Sequence, residues 1–163
     1  KRERQHPIDF GNGTTFAFSK KSTYLQNIST KILSKLGYHG LCEVEFMKDP
    51  RDGKMKLLEI NARTWKWHRL GKPISFDYPL ALFKDVCENV TPEHTEQIEV
   101  KVCWIHIVTD LFVLFQLLNK NLISIQDYLK SIRTNLIFAN FSIKDPLPFI
   151  SELIFLPYNI AKR

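Results

Sequence analysis

Two short segments that alternate apolar and polar residues, joined by a turn, constrain the fold of this 163-residue chain most strongly. Residues 41–47 and residues 55–61 both alternate with a period of two. This period is typical of β-strands, because successive side chains of a strand point to opposite faces of the sheet. The linking segment contains Asp52-Gly53, and Asp-Gly is a strong hairpin signal. The sequence therefore predicts a β-hairpin.

If the two strands pair, oxygen-bearing side chains from both of them meet on one face of the hairpin. Glu45 from the first strand would lie near Glu59 and Asn61 from the second. Such ligands suit Mg²⁺, which binds carboxylates, waters and phosphate oxygens. Arg63 follows two residues after Asn61, near enough to bond the phosphates that such a metal carries. The alternative is that these side chains are simply solvated on an exposed strand face.

The two strands also carry a family resemblance. Glu-Val-Glu-Phe at residues 43–46 and Glu-Ile-Asn-Ala-Arg at residues 59–63 resemble the metal-binding hairpin of the ATP-grasp ligases. The chain is similar in particular to carboxylate–amine ligase-like members, in which an aromatic residue, a short helix and an Asp-x-Pro segment follow. Here Trp65, Trp67 and Asp77-Tyr78-Pro79 stand in that order.

The resemblance implies a role for each matching residue. Glu45 corresponds to the metal ligand of the first strand, and Glu59 and Asn61 correspond to those of the second, holding the Mg²⁺ (or Mn²⁺) ions that accompany ATP. Arg63 corresponds to the catalytic arginine that contacts phosphate or the acyl-phosphate intermediate. Glu43 matches less well, because the ligand in the family usually stands directly before a bulky apolar pair.

A further resemblance lies near the start of the sequence, where Arg4 and Pro7 match an Arg-x-x-Pro segment of these ligases. It implies that Arg4 contacts the substrate or a phosphate of the nucleotide. A solvated arginine is the alternative. Between Gly11 and Gly13 the sequence predicts a turn into a short strand.

As a function, the resemblance implies the ATP- and Mg²⁺-binding part of a ligase. Such an enzyme activates a carboxylate as an acyl phosphate, which an amine or similar nucleophile then attacks. The expected partners are ATP, an unidentified carboxylate and a missing N-terminal lobe, on the same or another chain. Two alternatives stay open: a non-catalytic basic interaction module, and a decayed ligase fragment that keeps the motif without activity.

The fold class expected is α+β, the C-terminal part of an ATP-grasp fold with a mainly antiparallel sheet and packed helices. Residues 1–92 are predicted to form the partial ATP-grasp subdomain, and residues 93–163 a mostly helical appendage. Apolar spacing and caps predict helices at residues 22–36, 79–89, 105–118, 125–131 and 149–156, and a strand at 100–104. Ser22 or Thr23 would cap the first of these helices, and Asp77 would cap the second.

The charge, the cysteines and the most apolar segment bear on the partners and the compartment of the protein. The net charge is +6, but the basic residues are scattered except at Lys20-Lys21 and Lys162-Arg163, so binding of nucleic acid is not expected. Three cysteines without a Cys-x-x-Cys spacing fit a reducing compartment, and we expect a cytoplasmic protein. Residues 105–118 are the most apolar run, which favours a buried or surface-docked helix over peripheral contact with a membrane.

Overall fold

The computed structural model describes residues 1–11, 13–93 and 99–161, with side chains as far as residue 158. Two features of the sequence analysis lie outside the described residues: Asn12 of the predicted turn and the basic pair at residues 162–163. In chain order the elements are β1 (Arg2–His6), β2 (Gly13–Phe18), α1 (Thr23–Lys35), β3 (Glu43–Lys48), β4 (Met55–Asn61), a 3-10 helix (His68–Ile74), α2 (Tyr78–Glu88), β5 (Val102–Ile105), α3 (Ile107–Asn119), α4 (Ile125–Ile132), β6 (Asn135–Phe138) and α5 (Leu147–Ala161).

These elements form two compact units. The first unit contains residues 1–19 and 100–163, and the second contains residues 20–99. The first unit is thus built from both ends of the chain, whereas the expected division lay at residue 92. The functional division into an ATP-grasp part and an appendage stays a prediction, since packing alone does not test it.

The first unit is built on a four-stranded sheet in the order β1-β2-β5-β6. β1 pairs with β2 and β2 with β5 in antiparallel orientation, whereas β5 and β6 are parallel. The α+β class is confirmed, but this sheet is mixed and not purely antiparallel. β6 was missed, because Leu136, Ile137 and Phe138 form a short apolar run without alternation of polar and apolar residues.

The core of the first unit lies around the two central strands. Phe16 of β2 and Cys103 and Ile105 of β5 are buried, and Leu136 and Phe138 of β6 pack against them. All four residues of β5 are buried, so β5 is covered on both faces.

In the second unit, the helix ends follow from local chemistry. The Ser22 side chain accepts a hydrogen bond from the Leu25 amide and caps α1, and Gly37 follows the helix with a φ of 60°. The Asp77 side chain accepts from the Leu80 amide and caps α2. Both caps were predicted. Within the part of the chain that the structure describes, no helix is both long enough and apolar enough to cross a bilayer.

Candidate metal and phosphate site

The candidate site lies on the hairpin of β3 and β4 in the second unit. Its turn is held by short-range hydrogen bonds: the Gly53 amide donates to the Asp49 carbonyl over 2.8 Å, and the Asp49 amide donates to the Lys54 carbonyl over 2.8 Å. Gly53 has a φ of 69°, a left-handed conformation that glycine adopts without steric cost. The predicted Asp-Gly hairpin is therefore confirmed.

The register of the hairpin decides which side chains meet. Glu45 lies opposite Glu59, and Glu43 lies opposite Asn61. Because residues two apart on a strand share a face, all four side chains project from the same face of the hairpin. The structure thus brings together Glu45, Glu59 and Asn61, as the sequence predicted, and Glu43 lies on the same face.

A β-bulge interrupts the ladder directly after this cluster. The partner of Glu45 is Glu59, but the partner of the next residue, Phe46, is Leu57, so Leu58 is the extra residue. The alternation predicted for residues 55–61 is therefore interrupted at the bulge. A bulge bends its strand and increases the local twist, and here it separates the cluster from the turn.

The three residues of the Glu-x-Asn-x-Arg segment are linked side chain to side chain. The Asn61 Nδ2 donates to Glu59 Oε1 over 2.8 Å. The Arg63 Nη2 donates to Asn61 Oδ1 over 3.4 Å, a long contact, and Arg63 Nη1 donates to the Thr64 carbonyl over 3.2 Å. The amide of Asn61 thus turns its nitrogen to the carboxylate and its oxygen to the guanidinium. Arg63 itself is exposed.

Glu43 has the most perturbed electrostatics of the cluster. Burial raises the pKa of its carboxyl to about 7, helped by the charge of Glu45, a hydrogen bond with Glu45 and the charge of Glu59, while Arg63 opposes the shift. Its Oε1 atom is buried without a hydrogen-bond partner. The sequence placed Glu43 on the face of Glu45, and that alternation was the signal for its inclusion.

These residues fit a hard divalent cation, although they do not form a cage by themselves. Among the described residues, no group of three or more His, Cys, Asp or Glu side chains is arranged to hold a metal ion. Mg²⁺, however, is usually bound through one or two carboxylates together with waters and substrate phosphates. The Oε1 atom of Glu43 has no hydrogen-bond partner and lies beside Glu45 and Glu59. These three carboxylates are oxygen donors that such a cation would bind.

Arg4 has a different environment from the one predicted. It lies in the first unit and is 5% exposed. Its Nε and Nη2 donate to the carboxylate of Asp110 over 2.8–3.1 Å, and its Nη1 donates to Ser131 Oγ over 2.8 Å. The guanidinium also stacks over Phe16 and Tyr128. Because this guanidinium is buried and satisfied within the protein, we correct the role of Arg4 from anion contact to structural ion pair.

The aromatic residues after Arg63 form a packed cluster. Trp65 meets Tyr78 edge-to-face with ring centroids 4.8 Å apart, and it meets Trp67 at 6.3 Å. A ring nitrogen of His68 bonds the Trp65 carbonyl over 2.8 Å. These contacts make both tryptophans part of the packing of the second unit. A cleft of about 460 Å³ in the same unit is lined by Tyr78 and Asp85 among others, and none of the predicted site residues lines it.

The sequence matches a known protein family over a region that contains the hairpin. Residues 13–83, which are 71 of the 163 residues, match the family described as the carbamoyl-phosphate synthase L chain, ATP binding domain. The match contains the whole hairpin and the first part of α2, as far as Phe83. No curated protein and no solved structure gives a significant match. Residues 13–83 are therefore similar to part of an ATP-grasp ATP-binding domain.

Proposed function

We propose that this chain supplies the ATP- and Mg²⁺-binding part of a ligase that activates a carboxylate as an acyl phosphate. An amine or similar nucleophile would then displace the phosphate. The observation that carries the proposal is the register of the hairpin, in which Glu45 faces Glu59 and Asn61 is the next residue on the same face. The family match over residues 13–83 supports ATP as the nucleotide.

Glu45, Glu59 and Asn61 would hold the Mg²⁺ (or Mn²⁺), with Glu43 as a fourth oxygen donor. When bound, such a cation bridges phosphate oxygens and neutralises their charge. The protein's part is to present oxygen atoms at fixed positions, and the antiparallel ladder does this because each donor is anchored to a paired strand. Asn61 would turn from its present hydrogen bond with Glu59 toward the cation, which is a side-chain rotation and needs no change of backbone.

Arg63 would stabilise the negative charge on the transferred phosphoryl group. Its guanidinium is exposed, and its present contacts are a long bond to Asn61 and one to the neighbouring Thr64 carbonyl. A planar guanidinium offers paired donors that match phosphate oxygens. Phosphoryl transfer depends on positioning and electrostatic stabilisation, so this part of the mechanism requires no covalent nucleophile.

The remaining parts of the proposed ligase site are the carboxylate pocket and the N-terminal lobe that would cover the nucleotide, on the same or another chain. Neither is assigned to residues here. The two alternatives from the sequence, a basic interaction module and a decayed ligase fragment, predict that the hairpin face does not respond to Mg²⁺ or ATP.

Isothermal titration with Mg-ATP tests the proposal. We expect heat of binding that depends on Mg²⁺ and disappears in the double variant Glu59→Ala, Asn61→Ala. A matched control is Glu88→Ala, Asn119→Ala, which removes the same two residue types from exposed positions outside the hairpin. Equal heat in all three proteins would place nucleotide binding elsewhere, and no heat in any of them would favour the two non-catalytic alternatives.

A further inference from the structure

Helix α5 of the first unit presents an almost entirely apolar surface to solvent. Ser151 is the one hydrophilic side chain exposed between residues 147 and 158. Leu147 and Ile154 are each 67% exposed, and Phe155 is 58% exposed. The further exposed apolar or aromatic side chains of the helix are Pro148, Ile150, Leu153, Pro157 and Tyr158. Apolar side chains grouped in this way mark a surface that binds a partner or a membrane.

The opposite face of α5 is fixed to the first unit. Phe149 packs edge-to-face on Phe141 with ring centroids 5.4 Å apart. Glu152, the one charged residue in the sequence of the helix, pairs with His106 over 3.4 Å and accepts a hydrogen bond from Asn140. The polar chemistry of α5 is therefore directed inward. This is the reverse of a surface helix that packs its apolar face on the core.

The described part of α5 is shorter than the apolar core of a bilayer. Its 15 residues extend about 22 Å at the rise of an α-helix, whereas the hydrocarbon core of a bilayer is about 30 Å thick. A helix of this length can lie in the plane of a membrane surface, with its apolar side chains below the level of the headgroups. Tyr158, which is 60% exposed, is a residue type that favours that boundary.

The part of the sequence that contains α5 has an excess of basic residues, which is complementary to anionic lipids. Lys144 and Asp145 are both exposed just before the helix, and the sequence continues after it with Lys162 and Arg163. Between residues 120 and 163 there are six Lys or Arg and three Asp or Glu, of which Glu152 is paired internally. Basic side chains beside an apolar face attract anionic headgroups.

We propose that the outward face of α5 binds the surface of an anionic lipid bilayer, with Ile154 and Phe155 inserted among the acyl chains. A second copy of the chain fits this face less well than an anionic bilayer does. A symmetric contact would pair this face with itself and would offer no opposite charge to the excess of basic residues in this part of the sequence. The proposal is independent of the hairpin chemistry, since it uses no residue of the candidate metal site.

Flotation of the full chain with vesicles tests the proposal. The vesicles are made of phosphatidylcholine alone, or of phosphatidylcholine and phosphatidylglycerol at a ratio of about three to one, so that only the second kind is anionic. We expect the protein to float with the anionic vesicles. The variant Ile154→Asp, Phe155→Asp should lose at least about tenfold in partitioning, because two exposed apolar side chains that would insert into the bilayer are replaced by charges. The control Phe83→Asp, Val86→Asp changes two exposed apolar residues of α2 and should float like the wild type.

A second variant separates lipid attraction from folding. Lys144→Glu leaves the apolar face intact and should lower partitioning to anionic vesicles roughly fivefold, with circular dichroism unchanged. Failure of the wild type to float with anionic vesicles would overturn the proposal. Equal flotation of the wild type and the Ile154→Asp, Phe155→Asp variant would also overturn it. The proposal would also be overturned if light scattering showed that the wild type is a dimer, that this double variant is a monomer, and that vesicles have no effect on either.

Discussion

Glu45 of β3 lies directly opposite Glu59 of β4, and this pairing fixes the whole candidate site. Like charges opposite each other on a strand pair destabilise it. The hairpin keeps them together with Glu43 on the same face, and the protein shifts the pKa of Glu43 to about 7. A cation at this face would remove the repulsion, which is why the arrangement favours a metal site over a solvated strand.

The raised pKa of Glu43 predicts a pH-dependent stability of the metal-free protein. An unfolded glutamate has a pKa of 4.5, and the folded carboxyl, beside Glu45 and Glu59 and opposed by Arg63, titrates at about 7. The folded state therefore holds the proton more tightly, so the free energy of unfolding should fall as the pH rises from about 4.5 to about 7. Discounted for a half-exposed group, the loss is roughly 1–2 kcal/mol.

Glu43→Gln checks this prediction by urea denaturation in buffer with a chelator. The variant cannot ionise at this position, so it should be more stable than the wild type at pH 8 by roughly 1–2 kcal/mol and similar to it near pH 4. The exposed Glu88→Gln serves as the control and should show the wild-type pH profile. A Glu43→Gln protein with the same pH dependence as the wild type would show that Glu43 does not carry the shift.

Gly71 is predicted to be intolerant of any side chain. A Cβ atom at this position would lie 2.2 Å from Cε2 of Tyr78 and 2.4 Å from the Phe76 carbonyl oxygen. Gly71→Ala should therefore lower the free energy of unfolding by about 1–3 kcal/mol, the usual cost of overpacking. Gly53→Asn is the comparison, because a Cβ atom there would meet only the Lys48 side chain, at 3.9 Å, and asparagine tolerates the left-handed conformation. Thermal unfolding of both variants should rank Gly71→Ala as the less stable.

Because the ion pair between Arg4 and Asp110 is buried, we predict that replacing Arg4 lowers the stability of the protein and leaves its affinity for Mg-ATP unchanged. Asp110 is fully buried and also accepts hydrogen bonds from Thr15 and Tyr128. Arg4→Ala would leave the buried carboxylate of Asp110 without a compensating charge and should lower the free energy of unfolding by about 3–5 kcal/mol. Asp110→Asn added to this variant should recover part of the loss.

Denaturation curves measure these changes, with the exposed Arg133→Ala as a control that should stay within about 0.5 kcal/mol of the wild type. At a temperature where Arg4→Ala is folded, its affinity for Mg-ATP should equal that of the wild type. A selective loss of nucleotide affinity would restore the anion-binding role that the sequence suggested for Arg4.

Local chemistry explains which features the sequence could predict. The Asp-Gly turn, the cap at Ser22 and the cap at Asp77 are set by residues within a few positions of one another, so their patterns are readable without a fold. The bulge at Leu58 was not readable, because it depends on how two strands pair and not on the composition of either. The same holds for Arg4, whose partner Asp110 is 106 residues away and becomes visible only in the folded unit.

Titration with Mn²⁺, followed by the loss of its free electron paramagnetic resonance signal, tests the central claim most directly. With ATP present, the wild type should bind Mn²⁺ more tightly than ATP alone does, and Glu59→Ala, Asn61→Ala should abolish the difference while Glu88→Ala, Asn119→Ala retains it. This result would assign the cation to the face of the hairpin. Signal loss that is the same with the wild type, with the double variant and with ATP alone would contradict a metal site at Glu45, Glu59 and Asn61.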